Sequence, residues 1–312
     1  MKQVNLTNIR KKAKRLLFGM SGHDGLMVKV LTYLLLIGIG FVFLYPVLYM
    51  LSYSFKDIDD LLNTLVNWIP TKLYIDNYIR ALEVLDFWPI LWQTLYVTII
   101  PSLLQAFIAS IVGYGFARFT FRGKRLLFLL VLVTFVIPPQ VTIIPKYILF
   151  NNIHILDSLA AYILPAIFGQ GLNSAIFILI FFQIFRAIPL SLEEAAQLDG
   201  AGHFKIFFKI AVPMASAGYI ISFLFSLVWY WNETYLASIF LGEKLTTLPL
   251  QLQKFVATYS KLFPVQGTNG VSINEGIELA GTLLTTIPLL IIYFISQRWF
   301  VESVDRTGIT GE

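Results

Sequence analysis

Cysteine is absent from the 312 residues, so no disulfide, thiolate nucleophile or cysteine-held metal can form anywhere in the chain. Charge is scarce as well: 13 % of residues are Asp, Glu, Lys or Arg, against 57 % hydrophobic. A soluble fold has too little interior to hide that much apolar surface, so the composition predicts an integral membrane protein. The scarcity is organised. Six runs contain no Asp, Glu, Lys, Arg or His: Val30–Leu51, Leu91–Ala117, Leu126–Ile144, Leu159–Phe185, Ala215–Trp231 and Leu279–Ser296. A hydrocarbon core about 30 Å thick takes roughly 20 residues at about 1.5 Å rise each, which these runs match. In lipid each must be helical, because an isolated strand leaves its backbone donors and acceptors unpaired, and a barrel would show short alternating segments. The expected fold is an all-α bundle of six transmembrane helices.

Two function classes fall with the missing residues. Proton- and sodium-driven carriers use buried ionisable groups as relays or ion ligands, and voltage sensors need intramembrane arginine; uncharged spans argue against both. No phosphate-cradling loop of the form G-x-x-x-x-G-K-[ST] occurs, and "GEKLTT" at Gly242 has the wrong spacing, so the chain does not hydrolyse ATP alone. His23, His154 and His203 lie on different segments and form no metal set. The net charge of +5 comes from basic residues beside apolar runs, where topology and anionic lipid account for them without nucleic acid.

Lysine and arginine orient the chain. With the N-terminus inside, segments 1–29, 118–125, 186–214 and 297–312 carry sixteen Lys and Arg, and segments 52–90, 145–158 and 232–278 carry seven. The positive-inside rule then puts both termini in the cytoplasm. The organisation read from this is a basic N-terminal segment 1–29, a six-span domain 30–296, and a cytoplasmic tail 297–312. A cytoplasmic loop at 186–214 faces external loops at 52–90, 145–158 and 232–278. Arg118, Arg122, Lys124 and Arg125 serve as topology anchors in this reading. The first apolar run is too long for a signal-peptide h-region and stays as a mature span.

The loop at 186–214 does not read as a linker. Ser191 and Glu194 fit an S-x-x-E capping box, and Glu193 and Glu194 suit the positive end of a helix. "LEEAAQLD" is rich in helix formers, and Gly200 with Gly202 supplies a stop and a bend. A second short helix, "HFKIFFKI", follows and leads through Pro213 into the fifth span. The expected product is a stiff helix-turn-helix elbow, suited to passing a push into two spans.

Glu194, Ala195, Ala196, Asp199, Gly200, Ala201, Ile210 and Pro213 stand at the spacing E-A-A, two residues, D-G-A, then I-x-x-P. That pattern resembles the coupling motif of binding-protein-dependent ABC importer permeases. "GYGFARFTFRGKRLLFLL", "IPPQVTIIPKYILF", "WNETYLASIF" and "TLPLQLQKF" are similar to the six-span permease of maltose-type carbohydrate importers, a likeness that runs from about residue 30 to the C-terminus. The resemblance implies a permease subunit that is not itself an enzyme. It implies a heterodimer with a second, homologous permease, two ATPase subunits that hold ATP and Mg, and an external sugar-binding protein, with no cofactor on this chain. Ser191, Glu193, Glu194, Ala195, Ala196, Asp199, Gly200, Ala201 and Phe204 would be the ATPase-coupling residues. The tail "TGITGE" matches the family's Gly-rich tail only in part, and the loop Lys261–Glu278 is longer than usual. An amino-acid or peptide permease of the same class, and an ion-driven carrier of a different one, are the alternatives.

Neutral polar groups inside the runs have two readings. Gln105, Gln170, Asn173, Ser174, Ser222 and Ser226 can hydrogen-bond sugar hydroxyls along a path, or hold neighbouring helices together. Trp229 in "WYWNE" can stack on a sugar, while Trp and Tyr at a span end commonly form an interfacial belt, the preferred reading here. Gly113 and Gly115 are read as close-packing positions, and Pro101, Pro138, Pro139, Pro165 and Pro288 as kinks or helix ends.

Overall fold

A computed structural model describes residues 25–66, 68–264 and 272–306, and the chain divides after Asn77 into two compact units. No strand occurs among the described residues.

The first unit holds α1 (Leu26–Ser54) and the short α2 (Ile58–Leu62). α1 is 29 residues of almost unbroken apolar sequence, about 44 Å long, and none of its most apolar window is buried within the chain. After α1 the backbone is held by side chains instead of by a sheet or a long helix. Asp57 caps α2 by accepting from the Asp60 amide at 2.8 Å, and Asp60 accepts from both the amide (2.8 Å) and hydroxyl (2.7 Å) of Thr71. The Asn77 amide donates to Ser54 O and Lys56 O at 2.9 and 2.8 Å.

The division falls within α3 (Asp76–Val84), and the second unit goes on with α4 (Phe87–Arg118), α5 (Lys124–Val136) and α6 (Pro139–Asn152). It continues through α7 (Ala160–Ile167), α8 (Ser174–Ala187), α9 (Leu190–Leu198) and α10 (His203–Met214). α11 (Ser216–Asn232), α12 (Tyr235–Phe240), α13 (Leu248–Gln253), α14 (Phe255–Leu262) and α15 (Glu275–Arg306) complete it. α4 is central, packing on α7, α8 and α11, and α11 packs in turn on α15. On its polar face Thr94, Thr98 and Ser102 are fully buried and each donates to a carbonyl four residues back, at 2.7, 2.7 and 2.6 Å, and Thr94 also accepts from the Leu248 amide of α13 at 2.8 Å. The largest aromatic cluster joins Phe177, Phe181 and Phe185 of α8 to Tyr114 and Phe116 of α4 and Phe207 of α10.

α1, α4 and the Glu275–Trp299 part of α15 are each long and apolar enough to cross a membrane as one helix, and three further crossings follow if bent pairs count as spans. The six charge-free runs are therefore not six continuous helices. The run Leu126–Ile144 breaks by 103° between α5 and α6, because Ile137 precedes the Pro138-Pro139 pair and is forced extended, while Pro139 restarts the helix at its first position. The run Leu159–Phe185 breaks between α7 and α8, where Gly169 (φ +69°) and Asn173 (φ +52°) take the left-handed conformation. The run Ala215–Trp231 coincides with α11, which meets α10 at 73°. Pro101 and Pro288 do not end a helix; each sits inside an unbroken 32-residue helix, α4 or α15. Of the two glycines read as packing positions, Gly113 is one: an added Cβ would lie 2.7 Å from Phe181 Cβ and 2.9 Å from the Phe182 amide nitrogen. Gly115 is not, since nothing lies within 4 Å of the same position there.

Candidate functional site

The break in the fourth run builds a cavity of about 400 Å³. Residues 168–173 leave the helix between α7 and α8, and irregular backbone at such a place survives in a membrane only where protein or a wet cavity satisfies it. Protein does so on one side. Gln105 of α4, only 1 % exposed, donates from Nε2 to Leu172 O at 2.6 Å and accepts at Oε1 from the Tyr230 hydroxyl at 3.0 Å. The same hydroxyl accepts from the Leu172 amide at 3.4 Å. Gly171 permits this closeness, because a Cβ there would fall on Gln105 Oε1 and within 2.8 Å of the Tyr230 hydroxyl.

The other side of the break is cavity wall. Gln170, Asn173, Ser174 and Trp229 all line it, so four of the seven sequence-chosen path residues come together. Ser174 opens α8; its hydroxyl is buried and has no hydrogen-bond partner among the described residues. Gln105 stands behind the wall, fixing the loop. Ser222 and Ser226 do not line the cavity: they are fully buried in α11, their hydroxyls unpaired among the described residues. The expectation of a belt at "WYWNE" is overturned, since Tyr230 and Trp231 are 2 % and 1 % exposed and sit in two packed clusters. Trp229 is half-buried, with its ring 5.2 Å from that of Phe177.

The cavity also carries charge that the uncharged runs concealed. Lys146 projects from α6, and Glu233, the residue after α11, accepts from the Leu236 amide in the first turn of α12 at 2.9 Å. Lys146 was missed because it lies just past the Leu126–Ile144 run; the signal was Pro138-Pro139, which turns the following helix back so that its first two turns line the wall.

The elbow forms at the expected place with a different internal phase. α9 begins at Leu190 with Pro189 as N-cap and no side-chain cap, so Ser191 and Glu194 are not a capping box; both are exposed within the helix. The stop is as the sequence requires. Gly200 adopts φ +80°, its amide donates to Gln197 O and the Ala201 amide to Ala196 O, both at 2.9 Å, which is a Schellman closure. Gly202 has an ordinary φ of −74° and caps α10, whose middle turn, Phe207–Ala211, is wound as a π-helix. Glu194, Ala195, Asp199 and Gly200 are exposed, Ala196 and Ala201 are intermediate, and Leu198 and Phe204 reach 89 % and 83 % exposure.

Glu193 departs from its neighbours. It points inward, with its Oε1 2.7 Å from Arg118 Nε and the two side chains only 9 % and 6 % exposed. Arg118 Nη2 also donates to Ile188 O at 2.7 Å, and the Tyr114 hydroxyl donates to Glu193 Oε2 at 3.3 Å. Arg118 is thus an internal clamp. Gly308 and Gly311 of the tail, and the basic residues ahead of position 25, lie outside the described residues.

The family model for binding-protein-dependent transport system inner membrane components matches residues 105–306, and the chain belongs to that family. It is a multi-pass protein of the cell membrane and a transport component. Among its relatives is the arabinooligosaccharides transport system permease protein AraQ of Halalkalibacterium halodurans, 28 % identical, covering 90 % of this chain and 98 % of that one. Another is the polygalacturonan/rhamnogalacturonan transport system permease protein YtcP of Bacillus subtilis, 27 % identical with 90 % and 98 % covered. Among solved structures, a chain of a bacterial ABC transporter involved in the import of the acidic polysaccharide alginate superposes with a TM-score of 0.69. It is 22 % identical, covers 88 % of this chain and is itself 96 % covered, so the two chains share a fold.

Proposed function

We propose that this permease passes a sugar or oligosaccharide, delivered by an external binding protein, through the membrane in an importer driven by ATP. The observation that carries the reading is the cavity at the broken fourth run: amides and hydroxyls from Gln170, Asn173 and Ser174 beside the indole of Trp229, a lining suited to a ligand rich in hydroxyl groups. The substrates in the names of AraQ and YtcP point the same way.

In this reading the chain pairs with a second, homologous permease, and two ATPase subunits hold ATP and Mg while this chain binds no cofactor. The elbow and both termini face the cytoplasm. Ser191, Glu194, Ala195, Asp199, Gly200 and Phe204 form the exposed surface that meets an ATPase, with Leu198 and Phe204 as its apolar tips. Closure of the ATPases on ATP moves the elbow, tilts α8 and α11, and opens the cavity outward; hydrolysis resets it. A ligand shifts such an equilibrium only by its differential affinity, so the elbow must be better accommodated in one state than the other.

The test is uptake and ATP hydrolysis by the assembled complex in proteoliposomes. Gly200→Pro removes the amide that closes α9 and demands φ near −65° where the chain holds +80°; Glu194→Lys reverses the exposed charge. Both variants should keep hydrolysing ATP while uptake falls by about tenfold or more, a size typical of coupling between sites. Normal uptake in both, or uptake that follows an ion gradient and survives without ATP, would refute the proposal.

A further inference from the structure

The elbow is joined to the cavity by more than its own chain. Going backwards from α9, a two-residue joint, Ile188-Pro189, connects it to α8 across a 70° bend. A joint of extended residues transmits force poorly unless its angle is fixed. Arg118 fixes it from outside: one guanidinium holds Ile188 O on the α8 side and the Glu193 carboxylate in the first turn of α9 on the other. Both contacts are made by the last residue of α4. Tyr114, one turn earlier, adds a hydrogen bond to the same carboxylate and packs its ring 5.0 Å from Phe207 of α10. The end of α4 therefore grips both arms of the elbow.

Thirteen residues back along the same helix, roughly 20 Å away, α4 grips the cavity. There Gln105 binds Leu172 O and, through Tyr230, the Leu172 amide, in the loop that forms the cavity wall. Midway, Gly113 brings α4 against the backbone of α8 at Phe181 and Phe182, so the two helices cannot slide freely past one another.

We propose that α4 is the rod that carries movement of the elbow to the cavity, and that Arg118, Glu193 and Gln105 are positioning residues for transport. Arg118 and Glu193 set the angle of the elbow; Gln105 passes the displacement of α4 to the loop at Leu172. Glu193 then works within this chain and not on the ATPase surface. The inference rests on the reading of the elbow as the ATPase contact.

The experiment compares sugar molecules imported per ATP hydrolysed by the full complex in proteoliposomes. Arg118→Glu and Glu193→Arg should each lower that ratio by about tenfold while binding-protein-stimulated hydrolysis continues, and the double exchange, which rebuilds the ion pair but leaves Ile188 O without its donor, should restore it in part. Arg118→Lys and Tyr114→Phe disturb the fold less; the lysine keeps the charge but cannot hold Ile188 O and Glu193 at once, so its ratio should fall to an intermediate value. Gln105→Ala should lower the ratio and raise the sugar concentration needed for half-maximal uptake, whereas the Arg118 and Glu193 variants should leave that concentration unchanged. Unchanged ratios in the single variants, or a double exchange no better than either single, would overturn the proposal. A cysteine at Glu194 supplies the separate check on the premise. Crosslinking to the ATPase in every variant confirms the dock, so that an unaltered ratio then counts against the rod alone; no crosslink in the unmodified background removes the docking reading and the proposal with it.

Discussion

Alanine at Gly113 and at Gly115 should move stability in opposite directions, although the two positions lie two residues apart in α4. Both substitutions gain helix propensity, about 1 kcal/mol in favour of alanine. At Gly113 the new methyl would sit 2.7 Å from Phe181 Cβ, 2.9 Å from the Phe182 amide nitrogen and 3.1 Å from Ile178 O. Two of these neighbours are backbone atoms and cannot swing aside, so α4 and α8 must part by roughly 0.8 Å to reach ordinary carbon contacts of about 3.5 Å. A gap of that size forfeits a quarter to a half of each dispersion contact along the seam, and it opens beside Phe177, Phe181 and Phe185, all fully buried. Overpacking of this kind costs about 1–3 kcal/mol, which exceeds the propensity gain at most of its range. Gly113→Ala should therefore be destabilised by up to about 2 kcal/mol. Gly115→Ala meets nothing within 4 Å and should be stabilised by as much as about 1 kcal/mol. Thermal unfolding of the purified chain in detergent, followed by tryptophan fluorescence, reads the two shifts against the unmodified protein. A Gly113→Ala variant that melts at or above the parent, or a Gly115→Ala variant that melts below it, would refute the reasoning.

Two further outcomes are expected. Gly171→Ala should displace the Gln105 amide and leave Leu172 O and the Tyr230 hydroxyl proton without a partner in the interior, a loss of about 1–3 kcal/mol for each; adding Gln105→Ala should recover none of it if the hydrogen bonds matter and most of it if the clash alone does, as a double-mutant cycle of melting temperatures decides. Asp60 is held below the usual carboxylate range, chiefly by the Thr71 hydroxyl and further by the Thr71 amide and the Lys56 charge, with burial opposing. A depressed carboxylate stabilises the fold above its unfolded value of about 3.9 and ceases to do so as pH falls through the lower folded value. Proteolysis between Lys56 and Lys72 should thus be slow and constant from neutral pH down to about 4 and quicken below it, and Thr71→Val should speed cleavage at neutral pH and shrink the acid quickening, because the hydroxyl no longer separates the folded from the unfolded value. An acid quickening of unchanged size in Thr71→Val would exclude the hydroxyl as the cause.

The helical class was legible because charge is excluded from lipid whatever the fold, and the stop of the elbow was legible because Gly200 is the residue type that accepts φ +80°. The phase of α9 was not. A start at Leu190 in place of the Ser191 cap sends Glu193 inward and leaves Glu194 outward, and adjacent glutamates look alike in a sequence. Its partner, Arg118, stands 75 positions away, a distance no local pattern spans. The break at 168–173 was hidden because an apolar run with no charge reads as one helix; Pro165 and the close pair Gly169 and Gly171 were its punctuation. The tryptophans near Asn232 were misread for a related reason. Interfacial preference is a statistical habit of the residue type, and Trp231 is buried because α11 packs on α4 and α15.

The shortness of α8 has a consequence for permeation. Its 14 residues reach only about 21 Å, some two thirds of a hydrocarbon slab of about 30 Å, before the chain unwinds. The unwound residues 168–173 are held by Gln105 and Tyr230 on one side and face the cavity of about 400 Å³ on the other. A continuous wet path from there to the far side would short-circuit the proton gradient. Phe177, Phe181 and Phe185, uncharged and fully buried along α8, oppose one, since such side chains offer water no hydrogen-bond partner.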